Sequence, residues 1–285
     1  MSTTSATTLV IGATGTTGSR VVAHLTAGGH RARAASRRAT PVPGTEPVAF
    51  DWYDPATHDA ALDGVDRVHL VPPVGDFDPA AVMLPFLRRA RAAGVHRAVL
   101  LSASAVPEGG PAVGMVHQEL PELFDNWAVL RPSWFMQNFT GSHAHAASIR
   151  EEGVIRTATE SGRVGFVDAE DIAAVAVRAL TDEVAPNTDL VLTGPEALSY
   201  DDIARLVTEA TGRPVVHQRL SYEQLRDRFA TQTPIQGEFA AMLAGMDRAI
   251  AEGAEDRTTD TVQRVTGRAP RSFRAHLEQE TRDAG

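Results

Sequence analysis

The stretch Thr8-Leu-Val-Ile-Gly-Ala-Thr-Gly-Thr-Thr-Gly18 decides the fold. Its first four residues form a short β-prone run, and a helical pattern starts at about Thr17 and continues to Ala27, where Gly28-Gly29 closes it. The glycines fall on the turn between strand and helix, spaced G-x-x-G-x-x-G. Gly12 permits the tight turn, and Gly15 lets backbone approach a pyrophosphate. Gly18 lets the helix pack closely on the strand, so that free N–H groups and the helix dipole face a phosphate. With Ala13, Thr14, Thr16 and Thr17 between them, these residues read as a dinucleotide-binding turn.

Outward from that turn, short apolar runs at 31–36, 47–51, 67–71, 98–101 and 128–131 alternate with helical patterns at 79–93 and 116–124. Such alternation is the signature of parallel βαβ units. The fold class that follows is α/β: a Rossmann doubly wound parallel sheet with a smaller, mixed α/β C-terminal substrate lobe. Residues 1–8 read as a disordered tail and 9–155 as the dinucleotide-binding domain, with 165–195 returning to it. Residues 196–285 together with 134–164 make the smaller lobe. Within these, Asp168–Leu180 reads as an amphipathic helix opened by Asp168 and Asp171, and Ser199-Tyr-Asp-Asp202 has capping-box spacing.

Composition removes whole classes of chemistry. All 27 basic residues among the 285 are arginine, and there is no cysteine. Schiff-base lysines, a Walker A lysine, the Tyr-x-x-x-Lys pair of common short-chain dehydrogenases, disulfides and thiolate nucleophiles are therefore excluded. A net charge of −9 argues against nucleic acid as a partner. No window is apolar enough for a membrane span and no secretory signal opens the chain, so the expectation is a cytoplasmic protein acting on a small molecule, as monomer or homodimer.

The cofactor is read at the end of the second strand. An NAD site places an acid there to hold the ribose 2′-hydroxyl, whereas an NADP site places arginine. This chain offers Ser36-Arg37-Arg38 and no acid before Glu46. Guanidinium groups pair bidentately with a 2′-phosphate, so NADP(H) is the expected cofactor. Asp51 and Trp52 end the third strand, where the adenine edge is contacted, and Val71, Pro72 and Pro73 end the fourth, beside the pyrophosphate and nicotinamide ribose.

Taken together, Gly12–Gly18, Val71-Pro72-Pro73, Trp127-Ala-Val-Leu-Arg-Pro-Ser-Trp-Phe-Met-Gln-Asn-Phe139 and the run from Phe166 to Asp202 resemble the NmrA-like atypical short-chain dehydrogenases. Within them the chain is most similar to the ergot-alkaloid agroclavine/festuclavine dehydrogenases and their bacterial relatives, over about residues 8–220. The resemblance implies a substrate cleft beside the dinucleotide and places Pro132, Trp134, Phe135 and Asn138 near nicotinamide or substrate. It also leaves open a quinone or enone reductase, or a non-catalytic NADP sensor.

A carbonyl reductase normally protonates the developing alkoxide from a tyrosine beside a lysine. The tyrosines here are Tyr53, Tyr200 and Tyr222, none between the fifth and sixth strands. Acceptors that need little proton donation, an iminium or a quinone, are therefore favoured. Ser102 and Ser104 follow the fifth strand; Ser102 is expected at the cofactor, and Ser104 with His117, which could donate a proton near neutral pH, are the candidate catalytic residues. His143 and His145, two apart on an expected helix, should point to different faces, and no spacing suggests a metal site.

Overall fold

The computed structural model describes residues 6–76, 78–232 and 237–284. Its strands are β1 Thr7–Ile11, β2 Arg31–Ser36, β3 Glu46–Ala49, β4 Arg67–Leu70, β5 Arg97–Leu101, β6 Asn126–Pro132, β7 Val154–Thr157, β8 Arg163–Val164, β9 Thr188–Leu192, β10 Leu198–Ser199 and β11 Val216–Arg219. Its α-helices are α1 Thr16–Ala27, α2 His58–Leu62, α3 Ala80–Ala92, α4 Gly114–Leu123, α5 Ala144–Glu152, α6 Ala169–Thr181, α7 Tyr200–Thr211, α8 Tyr222–Gln232, α9 Gly237–Ala251, α10 Thr261–Thr266 and α11 Phe273–Ala284. They cluster into two units, one of residues up to Pro132 with Ala169–Leu192 and Thr261–Gly267, the other of Ser133–Asp168, Thr193–Asp260 and Arg268 onward.

The first unit holds a sheet ordered β3-β2-β1-β4-β5-β6-β9 among the described residues, every pair parallel. The order reverses between β1 and β4, and in such sheets ligands bind at the carboxyl ends beside that switch point. The expectation of a doubly wound parallel sheet is met. β1 is buried along its whole length, so Thr7 and Thr8 belong to the strand and not to a tail; residues 1–5 of the expected tail lie outside the described residues. α6 is buried almost all round, because its alanines let it pack tightly against α1 and the sheet. The amphipathic stripe expected of it is therefore nearly closed to solvent.

At the centre of β4, His69 is fully buried and neither ring nitrogen has a protein hydrogen-bond partner. Desolvation holds its pKa down at about 4, so the ring is neutral in the folded state. The unfolded chain, titrating near the ordinary histidine value, takes up a proton in acid that the folded chain refuses. Stability is thus complete above about pH 6.5 and falls as pH drops toward 4, with about 2 kcal/mol lost by about pH 5. His69→Leu should abolish that loss: in urea melts its advantage over the parent chain should be about 2 kcal/mol larger at pH 5 than at pH 7.5. An equal advantage at both values would refute the account.

The second unit carries two small sheets, β11 paired parallel to β7 and β10 antiparallel to β8. Its core gathers Phe139, Phe166, Tyr200, Ile203 and Phe273. The box at Ser199 forms as expected, with Ser199 Oγ accepting from Asp202 N–H and the Asp202 carboxylate accepting from Ser199 N–H. Residues 133–155 cluster here and not with the dinucleotide-binding unit, since α5 packs on β7 and β7 takes its partner from β11. The return of 261–267 to the first unit, where α10 packs on α6, was not foreseen. Asp168 does more than open α6. Fully buried, it accepts from Gln137 Nε2 at 2.9 Å and Arg271 at 3.1 Å and lies 3.1 Å from His276 Nδ1.

Candidate active site

In the first unit, a cavity of about 490 Å³ opens at the carboxyl ends of β1–β4. Gly12, Thr14 and Gly15 form one wall, Ser36 and Arg37 the end of β2, Asp51, Trp52 and Tyr53 the end of β3, and Val71-Pro72-Pro73 the end of β4. Gly12 has φ +72°, a value that favours glycine, and lies close enough to Val71 that a Cβ there would stand 3.2 Å from Val71 Cβ. Gly15 caps α1 without a side-chain hydrogen bond, and the first turn carries no acid. The free N–H groups of that helix end are therefore open to an anion. A Cβ on Gly18 would stand 2.2 Å from Gly12 O, so loop and helix meet backbone to backbone.

Several expected contacts are placed differently. Ala13 and Thr17 are buried and Gly18 packs inward, so these three shape the loop from behind while Thr16 stays exposed at the first helical position. Arg37 is exposed in the lining, but Arg38, one residue on and past the strand end, is not part of it. Trp52 is mostly core: it packs edge-on against Phe50 and Phe86, and its indole N–H donates to Val71 O at 3.1 Å, tying β3 to β4. One Asp51 carboxylate oxygen accepts from Tyr53 N–H. Tyr53 and Val74 also line the cavity and were not anticipated, being loop residues without periodicity. Tyr53 donates its hydroxyl to Asp76 at 2.6 Å, and its pKa is pushed up to about 12 by that bond.

Ser102, Ser104, His117 and Pro132 lie outside this lining. Ser102 and Ser104 extend the β5–β6 ladder, donating their N–H groups to Leu130 O at 2.7 Å and Pro132 O at 2.9 Å. His117 is neither solvent-facing nor poised to donate a proton. It is 3 % exposed, its Nδ1 has no protein partner, and burial lowers its pKa, so it is neutral near pH 7. The reason is the helix itself: Val113, Val116 and Leu120 make the buried stripe of α4, and His117 sits within it.

The second unit has its own cavity, of about 300 Å³. Trp134 and Asn138 line it; Phe135 does not, its backbone being bridged to Val167 instead. His143 and His145 both line it too, with rings 4.9 Å apart. They meet, contrary to expectation, because His143 is the N-cap of α5 in extended conformation and its Nδ1 accepts from His145 N–H. The ring of His145 stacks on Phe139, and burial pushes its pKa down to about 3. Tyr200 and Phe229 add aromatic surface to the lining, and Asp247 adds a carboxylate. Asp247 was missed although a signal existed: Leu243, Ala244 and Ile250 stand at helical spacing around it, and Ala244 and Ile250 are buried.

Comparison with known proteins fits this arrangement. The profile of an NAD(P)H-binding family matches residues 12–183, and that of the NmrA-like family matches residues 124–269. The chain is 47% identical over 265 residues to the oxidoreductase YesF of Bacillus subtilis (strain 168), covering 93% of this chain and 92% of that protein. It is 40% identical over 233 residues to agroclavine dehydrogenase of Claviceps fusiformis, covering 79% and 80%. In fold it is similar to the NADPH-dependent quinone oxidoreductase QOR2 of Escherichia coli, with a TM-score of 0.78 at 22% identity over 96% of this chain and 99% of that one. Glycine loop, switch-point cavity and these similarities agree: the chain belongs to the NmrA-like family of NAD(P)H-binding proteins and is an NAD(P)H-dependent oxidoreductase of the atypical short-chain dehydrogenase type.

Proposed function

We propose that the protein is an NADPH-dependent reductase of a C=N bond, acting on a small secondary-metabolite-like imine or iminium. The observation that carries the cofactor choice is the cavity at the ends of β1–β4, which has Arg37 and no carboxylate at the end of β2. The backbone N–H groups at Thr14 and Thr16 would hold the pyrophosphate, with the Gly15 N–H turned back to Gly12 O at 2.9 Å to shape the loop, Arg37 the 2′-phosphate, and Val71-Pro72-Pro73 the nicotinamide half. Bound there, NADPH supplies the hydride. Trp134 and Asn138, in the lining of the second-unit cavity, would contact the substrate.

The preference for C=N follows from what the chain cannot do. There is no lysine in the sequence, and His117 is buried and neutral. Hydride addition to a ketone creates an alkoxide that needs a proton, whereas addition to an iminium carbon cancels its charge and needs none. The similarity to agroclavine dehydrogenase is in keeping with this reading. The test is NADPH consumption with a panel of cyclic imines and a panel of quinones. Turnover confined to the imines is expected. Turnover confined to the quinones would replace the substrate class, and tight NADPH binding without turnover on either would replace catalysis by sensing.

A further inference from the structure

The second-unit cavity contains a carboxylate, Asp247, that the hydride transfer does not use. Asp247 sits on α9, and its Oδ2 accepts one hydrogen bond, from Ala158 N–H at 2.8 Å. No ion pair to it occurs among the described residues. Asp247 is half-buried, and the accompanying desolvation pushes its pKa up to about 6, so at neutral pH it is largely an anion. A partly desolvated carboxylate with a single protein hydrogen bond and no ion pair is available to pair with a cation in the cavity it lines.

The neighbours do not supply the missing charge. Of the two arginines in the lining, Arg156 makes a two-pronged ion pair with Glu152 and gives its Nε–H to Gln218 at 2.9 Å. Arg228 acts on the same Glu152, helping to hold its carboxyl below the usual range. His143 and His145 face the cavity with pKa values lowered by burial, and Tyr200 keeps its proton, its pKa raised by burial and by Asp247 itself. No group of side chains suited to a metal occurs among the described residues. Sharing the cavity lining with Asp247 are three aromatic side chains, Trp134, Tyr200 and Phe229. An anion among aromatic rings is the chemistry that recognises an organic cation, since the rings attract the same charge through their faces.

We propose that this cavity binds a protonated or quaternary alkyl amine that carries an aromatic ring, or the corresponding iminium, with the Asp247 carboxylate as counter-ion. The assignment deepens the C=N reductase reading and rests on it for what the ligand is used for. The cavity size suits a ligand of one or two fused rings. Recognition of the cationic form would also select the protonated imine, the form that accepts hydride unaided.

The test is equilibrium binding of benzyltrimethylammonium, which is permanently charged and cannot be reduced, beside its neutral isostere neopentylbenzene, by calorimetry. The wild-type chain should bind the cation at least about tenfold more tightly than the isostere, with affinity rising from about pH 5 to about pH 8. Asp247→Asn preserves the acceptor for Ala158 N–H. It should weaken the cation at least about tenfold, leave the isostere within about twofold, and flatten the pH dependence. A wild-type chain that binds both alike overturns the proposal whether or not the variant folds, and so does a folded variant that keeps the cation preference. Because the probe is never turned over, Asp247-dependent binding without imine reduction would sink the reductase reading and leave the site standing. Imine turnover without cation preference would do the opposite.

Discussion

Gly18→Ala should abolish useful NADPH binding. The new methyl carbon would lie 2.2 Å from Gly12 O, 2.7 Å from Gly12 C and 3.1 Å from Ala13 Cα, all backbone atoms that no rotamer change can move. Ordinary contact needs about 3.5 Å, so α1 must retreat from the β1 turn by about 1 Å. Displacement on that scale at a binding centre costs about a hundredfold, and overpacking adds about 1–3 kcal/mol of instability. Titration of NADPH fluorescence together with a thermal melt measures both. Gly245→Ala is the control, since a methyl at Gly245 would meet nothing within 4 Å and the position lies inside α9. Nucleotide affinity within twofold of wild type in Gly18→Ala would remove the loop from the binding site.

Arg37→Ala has the second largest effect. Arg37 is exposed in the cavity lining, with no ion-pair partner among the described residues, so its guanidinium is available to a phosphate. A charge-assisted bidentate contact contributes about 1.5–3 kcal/mol, which predicts a loss of about tenfold to a hundredfold in affinity for NADPH. NADH affinity should change by less than about threefold, and the discrimination should shrink as salt is added. Arg38→Ala should leave both cofactors nearly unchanged. Equal losses for NADPH and NADH in Arg37→Ala would end the assignment of this arginine to the 2′-phosphate.

The contrast between these two arginines marks the limit of reading a sequence. The β1–α1 turn was legible because strand, glycines and helix are contiguous, and each glycine answers to a local requirement. Which of Arg37 and Arg38 enters the cavity depends on where β2 stops, a boundary set by its pairing with β1 and β3. His117 carried a usable signal, since its spacing from Val113 and Leu120 already put it on the apolar stripe. His143 and His145 did not, because their meeting depends on where α5 begins. Asp247 and Trp134 are more than a hundred residues apart in sequence and share a cavity only through tertiary packing.

Each unit is assembled from three separate segments of chain, so the polypeptide changes unit five times. One consequence concerns biosynthesis. When a ribosome has released only the first 132 residues, β6 has no β9 beside it and the sheet ends in an open edge. α6 and α10 are missing as well. β6 is a longer and more buried strand than β9, and such an edge left open recruits other chains, so the nascent protein carries an aggregation hazard until residue 192 is free, and the first unit's native contacts are complete only after residue 267. The same interleaving means that no single cut yields either unit whole. A dinucleotide-binding fragment made by truncation at Pro132 should be insoluble, and fragments for engineering must be built by stitching segments together.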